Sequence, residues 1–107
     1  LSGYNCDNQA TIELVSEKTL ECLKKNVPSD VPGIAFLSGG QSNDLATAHL
    51  NEMNKKDTDW NVTFSYGRAL QQDALKAWSK NLENPQLAQQ ALLTRAKANS
   101  LATRSNL

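Results

Sequence analysis

The sequence predicts an α/β fold, the last βα units of a (βα)8 TIM barrel, incomplete on its own. Three observations carry that expectation. Segments of helical period alternate with short apolar runs; each apolar run leads directly into a glycine-bearing turn; and the stretch between the two runs is long enough for a helical crossover. Short continuous apolar runs suit strands of a parallel sheet. Two strands cannot close a barrel, whereas a (βα)8 barrel of about 250 residues holds such units in series. Residues 1–107 therefore read as a single partial domain.

The first element is an amphipathic helix over Thr11–Lys25, with Ile12, Val15, Thr19, Cys22 and Leu23 on one stripe and most charges elsewhere. Pro28 and the Pro32-Gly33 pair end it. Gly33-Ile34-Ala35-Phe36-Leu37 follows as the first strand and runs into Ser38-Gly39-Gly40-Gln41. Ser42 or Asn43 can cap a second helix, Asp44–Asn54, with Leu45, Ala48 and Met53 turned inward. Beyond the charged loop at Lys55–Asp59, a second strand, Val62–Tyr66, leads into Gly67-Arg68 and a third helix carrying Leu70, Ala74, Leu75, Ala77 and Trp78. The last helix has Asn84 as cap and Pro85 at its first position, and presents Ala88, Ala91, Leu92, Arg95, Ala98, Leu101 and Ala102 on one face.

Bulk properties exclude several classes. With 39% hydrophobic and 21% charged residues the composition is that of a soluble globular protein. Eleven basic and eleven acidic residues cancel, so neither nucleic acid nor an anionic membrane surface is an expected partner. Any anion recognition must come from local charge. Cys6 and Cys22 have no second pair to make a zinc site or disulfide framework, and read as free thiols. No run approaches the roughly 20 apolar residues of a membrane span, and no leader opens the chain. The expected compartment is the cytoplasm. The chain opens on Leu1, with no initiating Met, and both ends read as cut from something longer.

The chemistry is expected at the carboxyl ends of the strands, the face where α/β folds bind ligands. There Ser38, Gly39 and Gly40 end one strand, and Ser65, Gly67 and Arg68 the other. Glycines let backbone N–H groups approach phosphate oxygens, and Arg68 adds a charged donor fork. A (βα)8 barrel often builds its phosphate site from the loops after its last two strands, and the two turns here would be neighbours in such a sheet. The competing reading is two tight βα turns with no ligand. His49 has no metal-ligand or catalytic neighbour in the sequence and reads as a packed or solvent-facing helix residue. Cys6 reads as a structural thiol, and Trp60 and Trp78 as packing residues. None of the eight lysines ends a strand, so none has the desolvated position that a Schiff-base lysine needs.

From Val31 onward the sequence closely resembles class I fructose-1,6-bisphosphate aldolases. The resemblance rests on Val31–Ser42, Thr63–Gln71, Ala74–Trp78 and Arg95–Ala102 in that order, and weakens before about Ala10 and in the loops Lys55–Asn61 and Ser79–Glu83. It implies a (βα)8 lyase that reversibly cleaves fructose 1,6-bisphosphate into dihydroxyacetone phosphate and glyceraldehyde 3-phosphate through a lysine iminium, with no metal or other cofactor. It implies that Ser38, Gly39, Gly40, Gly67 and Arg68 hold the C1 phosphate, with Ser65 lining the site. The Schiff-base lysine is expected upstream of Leu1, so this chain contributes no catalytic residue and is expected to be inactive alone. A homotetramer is the family habit. The alternative is a non-catalytic phosphate-binding or interaction module derived from the barrel.

Overall fold

A computed structural model describes residues 1–107. Its elements run α1 (Ile12–Asn26), β1 (Gly33–Phe36), α2 (Asn43–Met53), β2 (Asn61–Phe64), α3 (Arg68–Lys80) and α4 (Gln86–Ala102), which is the predicted order. The two strands pair in parallel, with Gly33 opposite Asn61 and Phe36 opposite Phe64. That register sets both carboxyl ends side by side. Glycine suits position 33, because a Cβ there would lie 3.1 Å from the Asn61 carbonyl oxygen and the facing backbone would have to give way by a few tenths of an ångström.

The helix ends follow local chemistry. Thr11 Oγ1 accepts from the Leu14 N–H at 3.2 Å and starts α1, while Lys24 and Lys25 sit in its last turn, where the helix dipole favours cations. Of the two candidate caps for α2 it is Ser42 that acts, its Oγ accepting from the Leu45 N–H at 3.2 Å. α4 begins at Gln86 with Pro85 at its cap position, one residue after the expected start, and Asn84 Oδ1 accepts from the Gln86 N–H at 3.1 Å.

α2 is the hub, packed on α1, on α4 and on β2, while α3 lies along α4. The main core joins Leu20, Leu50, Met53, Val62 and Ala102, and a smaller cluster of Ala46, Tyr66 and Ala69 lies toward the strand ends. Leu50 is fully buried, so truncating it to Ala would cost about 2–5 kcal/mol. Trp60 is buried as expected and donates its indole N–H to the Pro28 carbonyl at 2.9 Å.

Several inward assignments need correction. Cys22 is exposed, because the buried side of α1 is centred on Ser16 and Leu20, one position round from the expected stripe. In α2 the buried arc runs through Ala46, Leu50 and Met53, and leaves Leu45 exposed. Leu92, read on the small-residue face of α4, is exposed as well, and so are Leu75 and Trp78 of α3, for which the sequence set no inward face. The strands, expected to be continuously buried, are covered on one face: Gly33, Ala35 and Asn61 are exposed. A two-stranded sheet offers enough surface for α2 and too little for the outer sides of α3 and α4, and no residue of this chain lies across its second face.

Candidate functional site

The predicted residues do converge. Ser65 N–H donates to the Phe36 carbonyl at 2.8 Å, extending the parallel ladder one step past the strands, so the Ser38–Gln41 and Ser65–Gly67 turns leave the sheet as neighbours. In the first turn the Gln41 N–H donates to the Ser38 carbonyl at 3.2 Å. Gly39 takes φ +56°, the left-handed region, where glycine avoids a Cβ penalty of about 1–2 kcal/mol. The N–H groups of Ser38, Gly39 and Gly40 have no acceptor within the chain. Successive N–H groups in such a turn form a concavity suited to an anion.

The second turn supplies a matching set. Gly67 is the cap of α3 and carries no capping side chain, and its carbonyl accepts from the N–H groups of Leu70 and Gln71, both at 3.1 Å. The N–H groups of Gly67, Arg68 and Ala69 have no acceptor within the chain. They stand at the positive end of a 13-residue helix. Ser65 is exposed beside them.

Arg68 differs from the expected picture. Rather than standing as a free fork, its guanidinium crosses to the first turn. Nη2 donates to the carbonyls of Gly39, at 3.2 Å, and of Gln41, while Nη1 donates to Asn43 Oδ1 at 2.9 Å and Gln72 Oε1 at 3.3 Å. Arg68 therefore ties the two turns together while placing its charge over the first. Its Nε–H has no protein acceptor.

Residues that sequence reasoning missed hold this arrangement from behind. Tyr66 is buried and donates its hydroxyl to the Ala46 carbonyl at 3.0 Å, fastening the second turn to α2, and burial pushes its phenol up to about 12. Arg95, placed on the inner face of α4 but given no role, is buried. It donates to Asp44 Oδ1 at 2.7 Å, to the Asn43 carbonyl at 2.8 Å and to the Thr47 hydroxyl. Asn43 Nδ2 donates to Asp73 Oδ1 at 3.3 Å, so this one residue touches α4, α3 and Arg68. His49 is packed, the first of its two expected states, and burial lowers its pKa. An arginine on an otherwise small-residue face was the one available sequence signal.

All eight lysines are exposed, on helices or in the loop after α2, and none approaches the strand ends. Nowhere do three His, Cys, Asp or Glu side chains gather. No helix is long and apolar enough to cross a membrane. The most apolar groove, about 480 Å³, lies along α1 between Leu1 and Leu23; a cavity of about 520 Å³, which shares Leu1 and Ser2 with it, borders Gly40 and Gln41. The convergent donors, rather than the apolar groove, mark the candidate site.

Comparison with known proteins identifies the family. A probable class 1 fructose-bisphosphate aldolase of Xanthomonas campestris is 53% identical over 104 residues, covering 95% of this chain and 31% of the relative. A chloroplastic fructose-bisphosphate aldolase of Oryza sativa is 55% identical over 100 residues, covering 94% of this chain and 26% of the relative. The solved structure of the Plasmodium falciparum fructose-bisphosphate aldolase, in complex with TRAP and a small-molecule inhibitor, superposes with a TM-score of 0.92 at 44% identity, over 98% of this chain and 30% of that one. The chain thus spans about a third of the length of the relatives it matches. The class-I fructose-bisphosphate aldolase family model matches residues 1–107, and by that match, on a fold that superposes closely on a solved member, this chain belongs to the class I fructose-bisphosphate aldolase family.

Proposed function

We propose that these residues form the C-terminal portion of a (βα)8 aldolase and supply its C1-phosphate site. The full-length protein would cleave fructose 1,6-bisphosphate reversibly to dihydroxyacetone phosphate and glyceraldehyde 3-phosphate. The observation that carries this reading is the pairing of two turns whose N–H groups, at Ser38–Gly40 and Gly67–Ala69, lack acceptors in the chain while Arg68 spans the gap. A phosphate dianion answers both features, accepting backbone N–H groups while its charge is balanced by the guanidinium. Ser65, exposed at the end of β2, lines the approach.

The covalent chemistry belongs to a lysine outside these residues. Its amine condenses with the ketose carbonyl to an iminium and water. A base outside these residues takes the C4 hydroxyl proton as the C3–C4 bond breaks, its electron pair passes into the iminium as an enamine and the aldehyde half leaves; protonation of the enamine at C3 and hydrolysis by water then release dihydroxyacetone phosphate and the amine. Holding the C1 phosphate fixes the carbonyl carbon relative to that lysine, which is a positioning contribution. No metal or other cofactor enters the scheme. A homotetrameric assembly is proposed on the family resemblance. The cytoplasm is the proposed compartment, on two exposed free thiols, with the chloroplast named for the rice relative as the rival that fractionation distinguishes.

Arg68→Ala in the full-length protein tests the assignment. Loss of a charge-assisted contact worth about 1.5–3 kcal/mol should raise KM for the bisphosphate roughly ten- to a hundredfold, with iminium formation, trapped by borohydride, affected less. An unchanged KM counts against the site. Expressed alone, residues 1–107 should show no aldol cleavage, and measurable turnover would overturn the placement of the lysine elsewhere.

A further inference from the structure

One residue of the first turn contributes no donor to the anion concavity yet touches everything that shapes it. We propose that Gln41, locked in place by His49, is the positioning residue of the phosphate turn; this rests on the phosphate-site reading above and extends it to what sets the aim of the donors.

The Ser38 carbonyl receives two N–H groups, both from Gln41: the backbone N–H at 3.2 Å and the side-chain Nε2 at 2.9 Å. In a trans peptide the C=O and the next N–H point in opposite directions. Fixing the Ser38 oxygen therefore fixes the heading of the Gly39 N–H, one of the donors without an acceptor in the chain. The need for a fastening is specific to this position. Gly39 is a glycine in the left-handed region, with nothing within 4 Å of where a Cβ would sit, so neither its own conformational preference nor packing against it restrains the plane. The Gln41 carbonyl also accepts from Arg68 Nη2, so the same residue meets the tie between the turns.

A glutamine side chain left to itself would rotate among several rotamers and hold nothing in one place. His49 removes that freedom. Its Nδ1 lies 2.6 Å from Gln41 Oε1. Because Gln41 Nε2 donates to the Ser38 oxygen, Oε1 is the atom facing the ring, and an amide oxygen only accepts, so Nδ1 carries the proton. The ring is neutral, with Nε2 unprotonated. His49 is only 5% exposed and its Nε2 has no hydrogen-bond partner. A buried acceptor left unpaired is costly, and the retained half of the ring is the half that holds Gln41. The ring is itself set by the α2 backbone, whose His49 carbonyl lies 3.5 Å from the buried Ser16 hydroxyl of α1. The resulting line runs from the helical core through His49 and Gln41 to the Ser38–Gly39 peptide, with no member touching the anion.

The test uses the full-length protein and two readouts, KM against kcat for fructose 1,6-bisphosphate and the inhibition constant of inorganic phosphate, with thermal melting as the folding control. Gln41→Met keeps the length of the side chain and removes both hydrogen bonds; it should raise KM and the phosphate constant about tenfold, with kcat falling by less than KM rises. His49→Leu should act in the same direction. His49→Asn, which sets an amide N–H near the place of Nδ1, should restore most of the loss. In the double variant, His49→Leu should add almost nothing to Gln41→Met, because the histidine acts through the glutamine. A full additive loss in the double variant would overturn the coupling. If His49→Leu does not fold, Gln41→Met in the half-buried turn decides the matter by its KM-to-kcat split. Should Arg68→Ala weaken phosphate while Gln41→Met leaves it unchanged, the site stands and this inference falls. Should neither variant weaken it, the phosphate-site reading itself fails and takes the inference with it.

Discussion

The two turns of the site present the same kind of donor by different means. The first is restrained from within: Gln41 closes it, Ser42 caps the helix that follows, and Arg95 grips the Asn43 carbonyl from α4. The second has no such fittings. Gly67 offers no side chain to cap α3, and the turn is held by Tyr66 reaching the Ala46 carbonyl and Arg68 reaching the first turn. Both of those ties end on α2 or on the turn preceding it. The second turn thus takes its position from the first, so damage to the α2 end should reach both turns, and damage to the α3 end only one.

The largest test of that asymmetry is Arg95→Met. The Asp44 partner in the ion pair is 94% exposed on its side chain, so the pair itself adds little. The cost comes from the Asn43 carbonyl and the buried Thr47 hydroxyl, which lose a charged donor, and should reach about 2–3 kcal/mol in urea or thermal unfolding. Phosphate affinity should fall as well, through Asn43 and the Arg68 it holds. A loss under about 0.5 kcal/mol would mean that α2 does not depend on this brace.

A finer contrast sets two glycines against each other. At neither Gly39 nor Gly67 would a Cβ meet another atom within 4 Å. They differ in backbone: Gly39 has φ +56°, Gly67 has φ −94°. Gly39→Ala should therefore destabilise by about 1 kcal/mol through strain alone. Gly67→Ala should leave stability within about 0.5 kcal/mol and weaken phosphate binding by setting a methyl group beside the donors. Equal melting temperatures for the two variants would show that the first turn is not the strained one.

How far the sequence foretold this follows the same divide. The order of elements, the parallel strands and the place of both turns were legible because period, Pro, Gly and capping residues act locally, as at Ser42 and Asn84. Burial was less legible. A stripe such as Ile12, Val15 and Cys22 has the right period, but which edge of it turns inward depends on what packs there, and α2 meets Ser16 and Leu20 instead. The candidate site was read as six residues with donors or small side chains. Two of its supports, Tyr66 and Arg95, act through carbonyls 20 and 52 positions away, and no local pattern encodes such pairs; Gln41 and His49 bond over three and eight positions, but nothing in their types marks the pair. Arg68 was recognised, but its contacts with Gly39 and Gln41 needed the register of the two strands to appear.

The smallest effect concerns acid. Burial lowers the His49 pKa from its ordinary value near 6.5. The unfolded chain therefore takes up the proton at higher pH than the folded one. The stability His49 contributes is fully present above about pH 6.5 and is lost as pH falls through the lowered folded value. Protonation would put a proton and part of a charge on the buried Nε2, which has no acceptor, while Nδ1 kept its bond to Gln41. His49→Asn retains a donor for Gln41 and cannot titrate. The stability difference between the parent protein and this variant should be constant above about pH 7 and shift against the parent below about 6.5. Parallel stability curves from pH 8 to 5 would place His49 outside the acid response and leave the first turn insensitive to its ring.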